Sequence, residues 1–181
     1  MTDSLRAQGP RLRAVITILS DTHRESGHGL AGRAREAVRE SDTVVHAGDF
    51  TTPAVLEAFR GTGRIEAVYG NRDSPELCDR LPARRLFERE GVGIALVHGH
   101  EHGETALSLL GQSEGADLVV FGHSHRPTIV DAGDVTLLNP GSHDDPRGNP
   151  ASHAELTAGE GGVVARLRTR DGGELDAVRV T

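Results

Sequence analysis

The sequence predicts an α/β fold with a largely parallel sheet at its core. Short β-rich apolar runs alternate with helical patterns through the first half of the chain. The first run is apolar almost throughout, which is typical of a strand that is covered on both faces. Each run ends abruptly in small and polar residues. Alternating strands and helices of this kind indicate βαβ units and parallel strands.

The first element is a strand predicted over Ala14–Leu19. A polar, Arg-rich segment over residues 1–12 precedes it and is predicted to be a short tail. A helix is predicted over Leu30–Glu40, because its apolar residues recur at helical spacing. The other elements of this half are a strand over Thr43–Ala47, a helix that Pro53 opens and that continues over Ala54–Phe59, and a strand over Ile65–Tyr69.

The second half begins with the same alternation and then changes character. Its first elements are a strand over Gly93–Val97, a helix over Thr105–Gln112 and a strand over Asp117–Phe121. Strands without intervening helices follow over Val135–Leu138, Gly162–Arg168 and Glu174–Val180. The turn Asp171-Gly172-Gly173 joins the last two strands into a hairpin. Because no linker divides the chain, residues 13–181 are predicted to form one domain.

Length, charge and cysteine content narrow the class of protein. The 181 residues suit a single domain with a real core. One cysteine excludes an internal disulfide framework, and neither a membrane-spanning run nor a signal-peptide pattern is present, so a cytoplasmic protein is expected. A net charge of −7 argues against stable binding to nucleic acid or anionic membranes. All 20 basic residues are arginine, which fits either a GC-rich genome or a salt-adapted organism.

Polar clusters follow five of the predicted strands. They are Asp21 and His23, Asp49, Asn71 and Asp73, His98 and His100, and His123 and His125. Successive clusters are 22 to 28 residues apart, so each interval accommodates one strand and one crossover helix. The clusters are therefore expected at the same C-terminal edge of the sheet, where open α/β folds place their sites.

The side chains in these clusters have the chemistry of metal ligands. Imidazole and carboxylate groups without thiolate suit divalent ions such as Mn²⁺, Fe²⁺, Ni²⁺ or Zn²⁺. Two carboxylates, an amide and several histidines exceed the needs of one tetrahedral ion and fit two ions that share a bridging carboxylate. Any one cluster alone is weaker evidence for a metal site, because it also has a structural explanation. Thr22, for example, is interpreted as a helix cap. The histidines to which no role is assigned are His46, expected in the core, and His28, His102, His143 and His153, expected in turns, loops or at the surface.

Taken in order, the motifs resemble those of the calcineurin-like metallophosphoesterase superfamily. They are Asp21-x-His23, Gly48-Asp49, Gly70-Asn71, His98-Gly99-His100 and Gly122-His123-Ser124-His125. The short length, the β-rich tail and the segment Asn139-Pro140-Gly141-Ser142, interpreted as a turn that closes the sandwich, resemble the small bacterial and archaeal phosphodiesterase branch. The resemblance implies a four-layer αββα sandwich of two mixed β-sheets with a metal site at the C-terminal edge of the strands.

The resemblance also implies two divalent metal ions and their ligands. One ion would be bound by Asp21, His23, Asp49 and His125, and the other by Asp49, Asn71, His98 and His123. Mn²⁺ is the first candidate, with Ni²⁺, Fe²⁺, Zn²⁺ and Mg²⁺ as alternatives. The implied activity is hydrolysis of a small phosphoester, with a diester as the preferred class, by a hydroxide that bridges the two ions.

One residue departs from the family pattern. Many members have Gly-Asn-His at the position where this chain has Gly70-Asn71-Arg72, and arginine cannot serve as a practical proton donor. Its planar guanidinium can still bind a phosphoryl oxygen. We therefore expect a preference for good leaving groups, unless His100 or a water supplies the proton. The predicted catalytic residues are Asn71, Arg72, Asp73 and His100, where Asp73 orients Arg72 or the Asn71 loop, or caps a turn.

Two other functions remain open at the level of sequence. One is a non-catalytic protein-interaction scaffold with the same fold, since a retromer subunit of this fold acts mainly in that way. The other is a phosphomonoesterase or nucleotide pyrophosphohydrolase, which would use the same metal site with a different pocket. The β-rich tail offers strand edges on which a homodimer could form.

Overall fold

The computed structural model describes residues 14–159 and 161–180; the predicted tail over residues 1–12 lies outside these ranges. The strands are β1 (Ala14–Leu19), β2 (Thr43–His46), β3 (Ile65–Ala67), β4 (Arg84–Arg89), β5 (Val92–Val97), β6 (Leu118–Val120), β7 (Thr128–Asp131), β8 (Thr136–Asn139), β9 (Ser152–Gly159), β10 (Gly162–Thr169) and β11 (Glu174–Arg179). The helices are α1 (Gly32–Glu40), α2 (Pro53–Arg60), α3 (Pro75–Arg80) and α4 (Glu104–Glu114). None of these helices has the length and apolar character needed to cross a bilayer.

The strands form two mixed sheets. The first has six strands in the order β11-β10-β9-β1-β2-β3, and the second has five in the order β4-β5-β6-β8-β7. Within them, β1, β2 and β3 run parallel to one another, as do β5, β6 and β8. The predicted hairpin of β10 and β11 is present, with a turn at residues 170–171. β11 is an edge strand, as a homodimer through the tail would require, and the dimer itself stays a prediction.

Burial divides the molecule into four layers. Between the sheets, inward residues such as Ile16 and Ile18 of β1 pack with Ile94 of β5. On the outer face of the first sheet, Leu19 packs in a cluster with residues of α1, α2 and α3 such as Phe59. On the outer face of the second sheet, α4 contributes its own small core around Leu107 and Val119. The layers are thus helices, sheet, sheet and helix, which confirms the predicted αββα sandwich.

Local sequence explains where the helices begin and end. α2 starts at Pro53, whose missing N–H is no loss in the first turn of a helix. α4 ends at Gly115, which adopts a left-handed conformation with φ of 62° and caps the helix. On α1, the buried residues Ala34, Ala37 and Val38 lie on the face that packs against the sheet.

Four elements were not predicted from the sequence: α3, β4, β7 and β9. α3 has six residues, of which only Leu77 is buried, so no helical periodicity is visible. β4 and β7 are edge strands, β4 alternating between exposed and half-buried residues and β7 mostly half-buried. β9 is a central strand that contains fully buried polar residues, among them His153. His153 flanks the loop that precedes β9, as expected, and the structure adds that it is buried within the strand.

The interval between Asn71 and His98 also differs from the expectation of one strand and one helix. It contains α3, the antiparallel strand β4 and then β5. Because β3 belongs to the first sheet and β4 to the second, this interval carries the chain between the sheets. The polar clusters consequently lie at the edges of two sheets, which face each other across the inner core.

Candidate metal centre

The polar clusters occupy tight turns at the ends of β1, β2 and β6. Five of their residues have φ in the left-handed region: Asp21 at 54°, His23 at 45°, Asp49 at 61°, His123 at 69° and His125 at 58°. This conformation is unfavourable for residues with a Cβ, and such strain accumulates at functional sites. These turns direct several side chains into one space instead of along the strands.

Close backbone packing makes this convergence possible. A Cβ on Gly70 would overlap the carboxylate of Asp49, and a Cβ on Gly122 would overlap Ser20 and approach the Asp21 carboxylate. Glycine is therefore required at both positions by the approach of a metal-ligand candidate. The glycines of the Gly70-Asn71 and Gly122-His123 motifs thus have a direct steric role.

Asp49 lies between two groups of histidines. Its Oδ2 atom is 3.3 Å from Nε2 of His23 and 3.4 Å from Nε2 of His98. Its other oxygen, Oδ1, accepts a hydrogen bond of 2.8 Å from the backbone N–H of Arg72. Only 1% of Asp49 is exposed. This placement suits a carboxylate that bridges two ions.

One side of Asp49 faces the first predicted ligand group. Oδ1 of Asp21 is 3.4 Å from Nε2 of His125 and 3.9 Å from Nε2 of His23. The rings of His23 and His125 stack with centroids 5.0 Å apart. Potential ligand atoms of Asp21, His23 and His125 all lie within 4.8 Å of one another, which is close enough for a single ion.

The other side faces the second predicted group. Oδ1 of Asn71 is 3.0 Å from Nε2 of His98 and 3.1 Å from Nδ1 of His123. Ligand atoms of Asp21, Asp49 and His98 also lie within 4.8 Å of one another. The structure thus brings all seven predicted metal ligands together at one edge.

Backbone carbonyls set the orientation of two of the histidines. Nδ1 of His98 donates a 2.7 Å hydrogen bond to the carbonyl of Ala47, and Nδ1 of His125 donates to the carbonyl of Asp145. A neutral imidazole whose Nδ1 donates presents an unprotonated Nε2 on its other side. This arrangement is common for metal-binding histidines, because the carbonyl fixes both the ring and its tautomer.

The unpartnered atoms of the centre fit a cation. Among the described residues, Oδ1 of Asp21 and Nε2 of His23 are buried and have no hydrogen-bond partner. Nε2 of His98 faces the oxygens of Asn71 and Asp49, so a proton or a metal ion must lie between them. The ligand set therefore fits a divalent metal of borderline or hard character.

Burial and neighbouring charges alter the pKa values of these groups. Burial alone would raise the pKa of Asp49, but the hydrogen bond and charge of His98 outweigh it and lower the pKa below its usual value. Burial acts against protonation of His98, whereas Asp49 and Asp21 raise its pKa above the usual value. The carboxylates thus favour a positive charge at this position, as expected where a cation binds.

Asp73 supports the site without facing it. Its carboxylate accepts hydrogen bonds from the backbone N–H groups of Asp49 at 3.1 Å, Thr51 at 2.6 Å and Gly70 at 2.8 Å. It therefore joins the loop after β2 to the loop after β3, and it orients the Asn71 loop through the backbone.

Ser142 and Asn139 support the site from the end of β8. Oγ of Ser142 donates to the carbonyl of Asp21 at 2.8 Å and accepts from the backbone N–H of Asp145. The Asn139 side chain donates to the carbonyl of Gly122 at 2.8 Å. The segment thus holds two metal-ligand loops, and its role as a turn that closes the sandwich stays a prediction. Because β8 runs parallel to β6, its end lies at the same edge, and a parallel β8 was the signal that the sequence reasoning missed.

Two other interpretations are decided by the structure. Thr22 does not cap α1, which begins at Gly32 after an N-cap at Ala31. Its buried hydroxyl lies 3.3 Å from Nε2 of His46, so the capping prediction was wrong.

His46 is fully buried and stacks on Phe50, and this burial lowers its pKa to about 3. The prediction of a core histidine is confirmed.

The predicted catalytic residues Arg72 and His100 are exposed beside the ligands. Arg72 lines a cleft of about 310 Å³ over the ligand cluster, together with Asp49, Asn71, His123, His125 and Arg147. The His100 ring lies 5.4 Å from that of His98 and 6.2 Å from that of His123. His100 also lines a neighbouring cavity of about 270 Å³ with Tyr69 and Leu110.

Comparison with known proteins agrees with this fold. Residues 15–160 match the family model of the calcineurin-like phosphoesterase superfamily domain. The chain belongs to this superfamily. A probable metallophosphoesterase of Methanothermobacter thermautotrophicus is 36% identical over 137 residues, which cover 74% of this chain and 79% of that protein. The resemblance inferred from the motifs is confirmed.

One further relative and one solved structure are similar to this chain. A phosphodiesterase of Methanocaldococcus jannaschii is 28% identical over 141 residues, which cover 70% of this chain and 82% of that protein. The structure of wild-type Vps29 of Entamoeba histolytica complexed with zinc superposes with a TM-score of 0.74 at 20% identity, covering 92% of this chain and 99% of that one. At this identity the second likeness concerns the fold alone.

Proposed function

We propose that this protein is a metal-dependent phosphodiesterase that hydrolyses small phosphate esters at a dinuclear centre. The observation that carries the proposal is the position of Asp49 between the His23 and His98 groups, at 3.3 and 3.4 Å. A carboxylate in this position would be shared by two ions, which together could act on one phosphoryl group. When bound, the two ions would supply Lewis acidity, activating a water and offsetting charge on the phosphoryl oxygens.

The protein's own residues would hold and orient the substrate in the cleft. The backbone N–H of Arg72 donates a hydrogen bond to the Asp49 carboxylate, so Arg72 is anchored beside the proposed bridging ligand. A guanidinium donates paired hydrogen bonds to phosphoryl oxygens, which suits binding of the charge that accumulates in phosphoryl transfer. Asn71 serves as a ligand candidate, and Asp73 acts as a positioning residue for its loop.

Protonation of the leaving group falls to His100 in this proposal. Arginine is not a practical proton donor, so Arg72 does not fill this role. His100 is exposed, lies beside His98 and His123, and lines the adjacent cavity into which a leaving group could extend. An alkoxide whose conjugate alcohol has a high pKa needs such an acid in order to leave, whereas a nitrophenolate leaves unaided.

The deciding experiment measures hydrolysis of bis-p-nitrophenyl phosphate by metal-free protein reconstituted separately with Mn²⁺, Ni²⁺, Fe²⁺, Zn²⁺ and Mg²⁺. We expect activity with at least one of these ions and a loss of about 1,000-fold or more in Asp49→Asn. Asp134→Asn is the matched control, because Asp134 is exposed in a turn before β8. No hydrolysis with any ion, or full activity in Asp49→Asn, would contradict the proposal. The first outcome would favour the interaction scaffold.

Leaving-group dependence tests the role of His100. Across a series of aryl and alkyl diesters, we expect His100→Gln to lose little activity toward p-nitrophenyl esters and about 100-fold toward alkyl esters. His28→Gln is the control, since His28 lies before α1 and lines neither the cleft nor the adjacent cavity. Equal losses across the series would remove His100 from the mechanism. A faster reaction with monoesters throughout would identify a phosphomonoesterase.

A further inference from the structure

Two arginines with free guanidinium nitrogens line the cleft above the metal ligands. Most arginines in the described ranges are occupied by carboxylates, for example Arg84 by Glu114 at 2.8 Å and Arg85 by Glu66 at 2.8 Å. In the same ranges the Arg72 guanidinium has no hydrogen bond or ion pair. Arg147 uses its Nε atom to bind Asp145 at 3.0 Å, which leaves both of its terminal nitrogens available.

Arg147 is held in register with the metal centre by Asp145. The backbone carbonyl of Asp145 accepts the hydrogen bond from Nδ1 of His125, and its carboxylate holds Arg147. The backbone N–H of Asp145 is in turn held by Ser142, which also binds the carbonyl of Asp21. One residue therefore orients both a metal-ligand candidate and an arginine at the mouth of the cleft. Arg147 itself adopts a φ of 49°, which non-glycine residues rarely do.

The cleft has more phosphate-binding capacity than one phosphoryl group needs. Asp49, Asn71, His123 and His125, over which the group to be cleaved would lie, line this cleft. Arg72 and Arg147 line the same cleft and are exposed, so their guanidinium groups are accessible to a ligand in it. Guanidinium groups match the paired oxygens of phosphate, and two of them form a local positive site on a chain of net charge −7.

We propose that Arg147 binds a second phosphoryl group of the substrate, outside the one whose ester bond is cleaved and which Arg72 contacts. The substrate class would then be a phosphodiester that carries a further phosphoryl group. This inference rests on the proposed phosphodiesterase function and assigns Arg147 as a specificity-determining residue.

Equilibrium binding tests the inference without catalysis. Thymidine 5′-phosphate and thymidine 3′,5′-bisphosphate are titrated by calorimetry into Mn²⁺-loaded protein. We expect wild type to bind the bisphosphate about tenfold more tightly, which corresponds to one well-formed ionic hydrogen-bond pair. Arg147→Gln should abolish this preference, and Arg147→Lys should retain part of it. Arg126→Gln, which removes an exposed arginine lining a separate cavity, should leave the preference unchanged.

Kinetics with a matched pair of esters completes the test. The p-nitrophenyl ester of thymidine 5′-phosphate is compared with the same ester carrying a 3′-phosphate. For the doubly phosphorylated ester, Arg147→Gln should raise KM about tenfold with kcat changed less than about threefold. For the simple ester, KM should change less than about twofold.

The outcomes separate this inference from the proposed function. Equal binding of the two thymidine ligands by wild type, or an equal effect of Arg147→Gln on both esters, would overturn the role of Arg147. A wild-type protein that hydrolyses neither ester with any metal would overturn the phosphodiesterase proposal instead, while the calorimetric preference would still report on Arg147.

Discussion

Two buried clusters of carboxylates and histidines lie in this protein, and they differ in what neutralises them. The metal-ligand cluster contains Asp21, Asp49 and their histidines. The second, here called the Glu155 cluster, consists of Arg33, His153, Glu155 and Arg168. In the second cluster the two carboxylate oxygens of Glu155 accept hydrogen bonds of 2.8 Å each from Arg33. No arginine side chain is paired with Asp21 or Asp49 in the described ranges.

The difference separates a structural cluster from a functional one. Burial opposes ionisation of Glu155, but the hydrogen bonds from Arg33 and His153 outweigh it and lower the pKa to about 2. A buried carboxylate that has its own arginine needs no further cation. Asp21 keeps a buried oxygen that has no hydrogen bond and faces only histidine nitrogens, which suits compensation by a bound cation. Residue type alone would not distinguish the two clusters.

The largest expected effect is on the stability of the metal-free protein. Glu155→Gln should lower the free energy of unfolding by about 3 kcal/mol, because it leaves Arg33 without its main partner. The cost stays at the low end of the range for buried pairs, since the Arg33 side chain is 24% exposed and retains Glu40. Asp49→Asn, measured by urea unfolding of the same metal-free protein, should change it by about 1 kcal/mol or less, because Asp49 has no arginine partner in the described ranges to leave uncompensated.

Glu174→Gln controls for the loss of one glutamate near the same arginines. Glu174 is half exposed and lies 3.4 Å from Arg166, so its removal should cost less than about 1 kcal/mol. If Asp49→Asn destabilised the metal-free protein as much as Glu155→Gln, the contrast between the clusters would be lost.

Acid should remove the stabilisation that ionised Glu155 provides to the folded protein. Because the folded pKa of Glu155, about 2, lies below the ordinary value of 4.5, its stabilisation is complete above about pH 5 and is lost as the pH falls toward 2. The difference between wild type and Glu155→Gln should shrink from about 3 kcal/mol at neutral pH to near zero at about pH 2. Urea unfolding at a series of pH values measures it. A constant difference would show that the loss arises from packing.

Metal bound at the metal-ligand cluster should raise the free energy of unfolding by a comparable but smaller amount. An ion at 100 times its dissociation constant should raise the free energy of unfolding by about 2.7 kcal/mol in wild type and in Glu155→Gln. Asp21→Asn and Asp49→Asn should lose most of this increment. Thermal unfolding with and without Mn²⁺ measures the effect. Equal stabilisation of all four proteins would place the ion elsewhere.

The smallest expected effect concerns the support of the metal loops by β8. Ser142→Ala removes the hydroxyl that joins the carbonyl of Asp21 to the backbone N–H of Asp145, and it should cost about 1 to 2 kcal/mol. Metal affinity should fall about tenfold to 100-fold, because the hydroxyl orients two ligand loops. Ser113→Ala, on the exposed end of α4, is the control. Unchanged metal affinity in Ser142→Ala would show that the loops are held by other contacts.

Much of the fold could be predicted because apolar patterning is a local property. The strands β1, β2 and β5 are buried on both faces and are therefore visible in the sequence as apolar runs. The polar motifs come directly after these runs and can be located from them. β9 was missed for the opposite reason: its central residues include His153 and Glu155, which are polar in sequence but buried in the fold. Only the arginines of α1 and β10, distant in sequence, make that burial tolerable.

By itself, the sequence determined the chemical identity of the metal-ligand candidates and the order in which they follow the strands. It could not determine that the chain crosses between two sheets after β3, that Asp73 and Ser142 hold the ligand loops, or that Arg147 lies across the same cleft as Arg72. Ligand chemistry belongs to single residues and is visible in the chain. Distance, burial and the partner of each charge arise only when segments far apart in sequence are packed together.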